Sequence, residues 1–150
     1  MKLQNRMGLL MVVCFALVST QARSEEKPVL VGIVMQIDAL VTNNGFVFCA
    51  LYDSDKGFPD EPAQAFARVR VRPDREKATC VFPDVTTGRY AVALWHDVNA
   101  DQKLDTNWIG MPTEPVGASN NAKGKLGPPK FQDASFEYRP PLLKQNIHLE

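Results

Sequence analysis

Short segments with the alternation or the aromatic and β-branched composition of strands, separated by turn residues, constrain the fold of this chain more than any other feature. The segments occupy Val29 to Ile37, Phe46 to Tyr52, Arg68 to Arg72, Ala78 to Val85, Tyr90 to His96 and Leu143 to Leu149. A side-chain period of two is typical of strands with one buried face. No segment has the apolar spacing of a helix longer than a turn or two. We therefore predict an all-β fold, a single antiparallel β-sandwich, with a β-barrel as the alternative.

Turn signals add detail to this prediction. Asn43-Asn44-Gly45 separates the first two predicted strands, which we expect to form a hairpin. Gly88-Arg89-Tyr90 at the start of a strand resembles the tyrosine corner of immunoglobulin-like sandwiches, in which a tyrosine hydroxyl bonds to upstream backbone. The segment 110–129 contains four glycines and four prolines, so we predict one long Gly/Pro-rich loop there. Loops of this length in compact domains are usually functional or mobile.

The N-terminal segment has the order of features expected of a secretory signal peptide. The basic residues Lys2 and Arg6 precede an apolar run from Met7 to Val18, and small residues follow at Ala22 and Ser24. The apolar run is too short to cross a membrane comfortably, although a retained anchor is the alternative.

This interpretation divides the chain into two regions. Residues 1–24 are predicted to be the signal peptide and residues 25–150 a single domain, long enough to bury a core. We expect a periplasmic or secreted protein with no membrane span in the mature chain.

Two cysteines, Cys49 and Cys80, fall in predicted strands. Export would place them in an oxidising compartment, where disulfides form and persist. We favour a disulfide between them over the alternative of two buried, reduced thiols. Neither has a CxxC partner or a nearby histidine, so the pattern does not indicate a metal site at these residues.

The charge of the chain bears on its partners. The formal net charge is +0 at pH 7, and loss of the three basic residues of the signal segment would leave a mildly acidic domain. Nucleic-acid binding depends on neutralising phosphates, so we expect no nucleic-acid partner. Arg68, Arg70 and Arg72 share one face of a predicted strand. We rank a solvated or edge-protecting face above an anion-binding stripe there.

Between His96 and Asp105, oxygen-bearing side chains recur at the spacing of a calcium-binding turn. Side chains at loop positions 1, 3, 5 and 9 and a backbone carbonyl at position 7 would supply the ligands. These positions are Asp97, Asn99, Asp101, Asp105 and, for the carbonyl, Lys103. Gln102 and Trp108 stand where an EF-hand has glycine and glutamate, so the loop is not an EF-hand. The alternative is a polar connection whose Asp and Asn side chains cap their own backbone.

A set of short motifs in fixed order resembles an uncharacterised bacterial exported family, domain of unknown function family 2141. The motifs lie at Phe82 to Val85, Gly88 to Ala93, His96 to Asn99, Leu104 to Asn107, Gly110 to Glu114, Gly117 to Ala122, Gly127 to Pro129 and Phe131 to Ala134. The resemblance covers roughly Leu30 to Leu149 and implies a periplasmic or secreted, prealbumin-like or immunoglobulin-like β-sandwich. The family loop usually runs Asp-x-Asn-Gly-Asn-Gly-Lys-x-Asp, so Ala100, Asp101 and Gln102 depart from it.

These observations favour an exported, noncatalytic module that binds a cell-envelope ligand or partner, with a calcium ion as a candidate stabiliser of the loop. An envelope protein, a glycan or a small ligand would be the partner. Loops clustered at one end of such a sandwich commonly carry the site. Candidate contacts are Trp95, His96, Trp108, Glu114 and Asn120. General burial statistics nevertheless favour packing of Trp108 on the core, and a hydrogen-bonded structural role for His96.

Two other functions remain open. The first is a metal-assisted hydrolase of an envelope or extracellular substrate, with Asp97, Asp105 or Glu114 as general acid or base beside a cation. A serine nucleophile has little support, because the segment from Gly117 to Asn121 lacks the final glycine of a nucleophile elbow. The second is an accessory protein of an envelope or transport system.

Overall fold

The computed structural model describes residues 31–149, so the predicted signal peptide and the first residues of the first predicted strand lie outside the described part. Within that part the chain forms eight strands, two 3₁₀ turns and one α-helical turn. The strands are β1 (Gly32–Asp38), β2 (Phe46–Tyr52), β3 (Ala67–Val71), β4 (Ala78–Pro83), β5 (Gly88–Asp97), β6 (Val116–Ala118), β7 (Phe136–Tyr138) and β8 (Leu142–His148). The 3₁₀ turns are Pro62–Gln64 and Ser119–Asn121, and the helical turn α1 is Phe131–Ala134.

The strands form two sheets, and the predicted β-sandwich is confirmed. The first sheet has the order β4-β1-β8 and the second β3-β2-β5-β6, with β7 paired to the start of β5. All pairings are antiparallel except β1 with β8. The expected hairpin of β1 and β2 is wrong, because these strands lie in different sheets. Alternation in sequence specifies the buried face of a strand and leaves its neighbour open.

The core lies between the inner faces of the two sheets. Ile33, Met35 and Ile37 of the first sheet meet Val47 and Leu51 of the second, and all five are almost completely buried. The sandwich is closed by the predicted disulfide, which joins Cys49 on β2 to Cys80 on β4 with their Cα atoms 6.5 Å apart. Closing a loop of 31 residues stabilises the fold by about 3.5 kcal/mol on the chain-entropy model.

Two connections are held by side chains. The Tyr90 hydroxyl donates to the Thr86 carbonyl oxygen over 3.1 Å, as predicted for a tyrosine corner, and this bond fixes the turn into β5.

The predicted long irregular loop contains a short strand, because β6 pairs with residues 93–95 of β5. The buried Ser119 hydroxyl then donates to the Ala134 carbonyl oxygen over 2.6 Å and accepts from the Val92 amide over 2.8 Å. These contacts join β5, the 3₁₀ turn that follows β6, and α1.

The outer face of the second sheet is divided into two parts. One part is covered by Phe58 and Phe131, which pack against small residues of β2, β5 and β6. The other part carries a row of half-buried aromatic rings that includes Phe48 stacked on Trp95. Within residues 31–149 no helix is long and apolar enough to cross a membrane.

Candidate functional site in the β5–β6 loop

The connection from β5 to β6, residues 98–115 and here called the β5–β6 loop, begins beside two buried carboxylates. Asp97 has no exposed surface, and its two oxygens accept hydrogen bonds from the backbone amides of Asp101 (3.2 Å) and Gln102 (2.9 Å). Glu114 is 8% exposed and accepts from the amides of Val98 (2.9 Å) and Asp105 (3.1 Å). Two side chains therefore satisfy four backbone donors at the base of the loop. A buried amide without a partner would destabilise the loop.

This geometry bears on the hypothesis of acid–base catalysis. Asp97 and Glu114 were candidates for general acid or base, but both carboxyl groups are buried against the loop's own backbone. Asp105 is half-buried, and its Oδ2 accepts from the Asn99 side-chain amide over 2.9 Å. The contacts of all three carboxylates lie within the loop, so the geometry gives the hydrolase hypothesis no support.

The segment from Asp97 to Asp105 is a series of Asx turns. Asn99 Oδ1 accepts from the Asp101 amide over 3.0 Å, and Asp101 Oδ1 accepts from the Lys103 amide over 2.9 Å. Ala100 and Gln102 adopt left-handed backbone conformations, with φ of 62° and 68°. These are the two positions at which the family pattern has glycine, and a side chain there costs about 1 kcal/mol.

Of the predicted calcium ligands, Asp97, Asn99 and Asp101 thus accept hydrogen bonds from the loop backbone, and Asp105 accepts from the side chain of Asn99. In the part of the chain that the structure describes, no group of three or more His, Cys, Asp or Glu side chains is arranged to hold a metal ion. The contacts are those expected of a self-capped polar turn. Calcium binding at Asp97, Asn99, Asp101, Lys103 and Asp105 stays a prediction.

The tip of the loop is an ordered turn that exposes apolar side chains. Trp108 is 94% exposed, Ile109 60% and Met111 52%. The expected packing of Trp108 on the core is therefore wrong. The segment from Thr106 to Pro112 leaves the sandwich as a narrow turn closed by a β-bridge between these two residues. Its tryptophan has no core surface within reach.

Asn107 holds this tip in place. Its side-chain oxygen accepts from the backbone amides of Ile109 and Met111, each over 3.0 Å. The backbone amide of Asn107 donates to the Met111 carbonyl oxygen over 2.8 Å. The Gly110 amide donates to the Asn107 carbonyl oxygen over 2.9 Å. Gly110 has φ of +82°, which favours glycine, and its Cβ position is open space. The exposed side chains are therefore presented by a turn with a defined shape.

The other candidate contacts lie elsewhere in the fold. His96 is fully buried and its Nε2 pairs with the Asn44 carbonyl oxygen at 2.8 Å, which fits the structural role favoured from the sequence. Trp95 lies on the outer face of the second sheet, where Phe48 covers one face of its ring at 4.7 Å. Asn120 donates its side-chain amide to the Ser135 carbonyl oxygen over 2.9 Å. Only Glu114 and Trp108 belong to the β5–β6 loop.

Three residues of this site were not identified from the sequence: Asn107, Ile109 and Met111. The sequence signal was Asn107 followed by Gly110, a turn pattern whose side-chain oxygen can accept from its own backbone. The apolar residues Trp108 and Ile109 within that pattern, and Met111 directly after it, could then have been placed at a turn and predicted to be exposed.

Comparison with known proteins agrees with the resemblance inferred from the motifs. The model of one family, described as an uncharacterized protein conserved in bacteria (DUF2141), matches residues 35–144. The matched segment includes both cysteines of the disulfide and the whole β5–β6 loop. No curated protein and no solved structure matches the chain.

Proposed function

The chain belongs to the DUF2141 family of uncharacterised bacterial proteins, and from that premise we propose that it is an exported, noncatalytic module that binds a partner in the cell envelope. Export is proposed because basic residues, an apolar run and small residues follow one another in the N-terminal segment, as in a secretory signal peptide. The contact surface is the tip of the β5–β6 loop, formed by Trp108, Ile109 and Met111.

One observation carries this proposal, the exposure of three large apolar side chains on an ordered turn. Contiguous exposed apolar surface on a protein of this size usually marks an interaction site. The bonds of Asn107 define the backbone of the turn, so binding would order little additional chain. Tryptophan is also among the residues that most often dominate the energy of an interface.

The shape of the tip favours a macromolecular partner over a small ligand. Sites for small molecules are concave and enclose most of the ligand surface. Trp108, at 94% exposure, projects from a convex turn instead. Such a side chain fits a pocket on a partner, so we favour an envelope protein over a glycan or a small ligand.

Calcium is the second part of the proposal. Asp101 is exposed and Asp105 half-buried, and each carboxylate accepts one hydrogen bond within the loop, which leaves further lone pairs for a cation. A bound ion would offset repulsion between the clustered carboxylates and stabilise the base of the loop, with the weak affinity typical of extracellular modules.

Site-specific photo-crosslinking tests the contact surface. A photoreactive phenylalanine analogue at position 108 should give a discrete crosslinked protein in intact cells. The matched control places the same group at the exposed Thr87, which lies at the opposite end of β5. Ile109→Ser and Met111→Ser in the crosslinking protein should each weaken the product. Equal products from both positions, or products with lipid alone, would contradict the proposal.

A further inference from the structure

The outer face of the second sheet carries a row of arginine and aromatic side chains in mutual contact, here called the Arg–aromatic row. Its members, in order, are Arg72, Phe46, Arg70, Phe48 and Trp95. The guanidinium carbons of Arg70 and Arg72 each lie 4.5 Å from the ring centre of Phe46. Phe48 stacks on Trp95 with ring centres 4.7 Å apart. The row lies outside the β5–β6 loop and is a separate surface from its tip.

The two arginines of the row have no anionic partner within the described part of the chain. Arg70 and Arg72 are exposed, and neither forms an ion pair with another of residues 31–149. Their cation–π contacts with Phe46 hold both charged groups over the sheet, so less side-chain freedom is lost when an anion binds. The fork of N–H donors on a guanidinium group matches a carboxylate bidentately. The row therefore offers two pre-positioned sites for carboxylates.

The third arginine of this strand is less available to a ligand. Burial raises the pKa of Tyr52 to about 12, and two carboxylates, Asp60 and Glu61, contribute to the rise. Arg68 opposes the rise, so Arg68 shares the surroundings of these two carboxylates. The positive charge of the face is thus concentrated in the row, on a domain that is mildly acidic without the signal segment. A local patch of one sign raises the concentration of oppositely charged ligands beside it.

The aromatic members of the row supply apolar surface next to these charges. Phe46, Phe48 and Trp95 are each only partly buried, so part of every ring is accessible to a ligand. Aromatic side chains combine a large apolar area with a negative π face. The C–H groups on one side of a sugar ring form an apolar surface that packs on such rings. The row therefore combines anion recognition with a surface for sugar rings.

The position of the row on a sheet face decides between classes of ligand. Sites for small molecules are concave, whereas these side chains stand side by side across strands β3, β2 and β5. Such a row suits an extended polymer. A peptide that binds a sheet relies on main-chain hydrogen bonds, but the backbone of β2 and β5 beneath the row is engaged with neighbouring strands. A polysaccharide needs only the side chains.

We propose that the Arg–aromatic row binds an acidic polysaccharide of the uronic-acid class. In a uronic acid the carboxylate is attached directly to the sugar ring, so the anion and the apolar ring surface lie side by side, as the guanidinium groups and the aromatic rings do in the row. The carboxylates accept from Arg70 and Arg72, and a neighbouring sugar ring packs on Phe48 and Trp95. This surface and its ligand are independent of the loop tip and its partner protein.

NMR titration of the intact protein with a short oligogalacturonate tests the proposal. Chelator is kept in the buffer, so that calcium cannot bridge the oligosaccharide to the β5–β6 loop. The backbone amides of residues 46–48 and 70–72 and the indole N–H of Trp95 should shift together and saturate. The methyl-esterified oligosaccharide keeps every sugar ring but has no charge, and a glutamate peptide of equal charge has no sugar ring. Both should bind at least tenfold more weakly.

Paired substitutions separate the row from the general charge of the protein. Arg70→Gln with Arg72→Gln should weaken binding at least tenfold, because both guanidinium groups are lost while the side-chain stems remain. Arg139→Gln with Lys144→Gln removes the same charge at exposed positions away from the row and should change binding by less than about twofold. Phe46→Leu keeps both charges but removes the ring that holds them, so binding should weaken about threefold.

Crosslinking from position 108 should persist in the Arg70→Gln, Arg72→Gln protein, which keeps the outcome for this surface distinct from that for the tip. Four results would each overturn the proposal: equal binding of the esterified oligosaccharide, equal binding of the glutamate peptide, equal weakening by the two double substitutions, or no saturable shifts at millimolar oligogalacturonate.

Discussion

The base and the tip of the β5–β6 loop reverse the usual distribution of polar and apolar residues. The base buries the carboxylates of Asp97 and Glu114, whereas the tip exposes Trp108, Ile109 and Met111. Buried carboxylates are tolerated because backbone amides donate to all four of their oxygens. The tip has no comparable compensation for its exposed apolar surface. The base therefore serves folding, and the exposed tip is the surface that we propose contacts a partner.

The largest expected effect comes from removing one of the two buried carboxylates of the base. Asp97→Ala leaves the amides of Asp101 and Gln102 without their acceptors, so the free energy of unfolding should fall by about 3 kcal/mol. Asp101→Ala, which removes one exposed cap, should cost below about 1 kcal/mol. Urea denaturation of both variants measures the difference. Equal losses would mean that burial of Asp97 has no special structural role.

Calcium should have an intermediate effect. After chelator treatment, addition of 5 mM calcium should stabilise the wild-type protein by about 1 kcal/mol, on the weak affinity expected of such a loop. Magnesium should act less, because it demands tighter octahedral geometry. Asp105→Ala should remove the effect and Asp133→Ala should keep it. An unchanged melting temperature of the wild-type protein would identify the segment as a self-capped turn and end the calcium hypothesis.

The next effect, no larger than that of calcium, concerns left-handed backbone in the two regions. Gln102→Gly at the base should raise the free energy of unfolding by about 0.5 kcal/mol, because glycine relieves its positive φ at some cost in unfolded-state entropy. Gly110→Ala at the tip should lower it by about 1 kcal/mol for the opposite reason. Thermal denaturation measures both changes. A loss of stability in Gln102→Gly would show that its side chain makes contacts that offset the strain.

The smallest effect on stability is expected at the tip. Trp108→Ser should change the free energy of unfolding by no more than about 0.5 kcal/mol, because the indole contributes little to packing. Crosslinking from a photoreactive group at the neighbouring position 109 should nevertheless be lost in this variant. A large destabilisation by Trp108→Ser would mean that the tip contributes to the fold, and the contrast between base and tip would then fail.

Local patterns predicted much of the fold and part of the site. Alternation in β1 identified a face, made by Ile33, Met35 and Ile37, that is buried, and Gly88-Arg89-Tyr90 identified the tyrosine corner. The loop after Asp97 was recognised from its repeated Asp and Asn residues, which do cap their own backbone. The solvent exposure of the Trp108 side chain could not be predicted, because exposure depends on whether another segment of the chain packs over that side chain.

The sequence by itself determined the features that depend on neighbouring residues: six of the eight described strands, the buried face of β1, and the Asp and Asn residues that form the Asx turns. Only the tertiary structure decided that β1 and β2 lie in different sheets, that β8 runs parallel to β1, and that β3 is left at an edge. The physical reason is that backbone stereochemistry and side-chain period act over a few residues. Strand pairing instead depends on long-range packing and loop closure, which no single segment specifies.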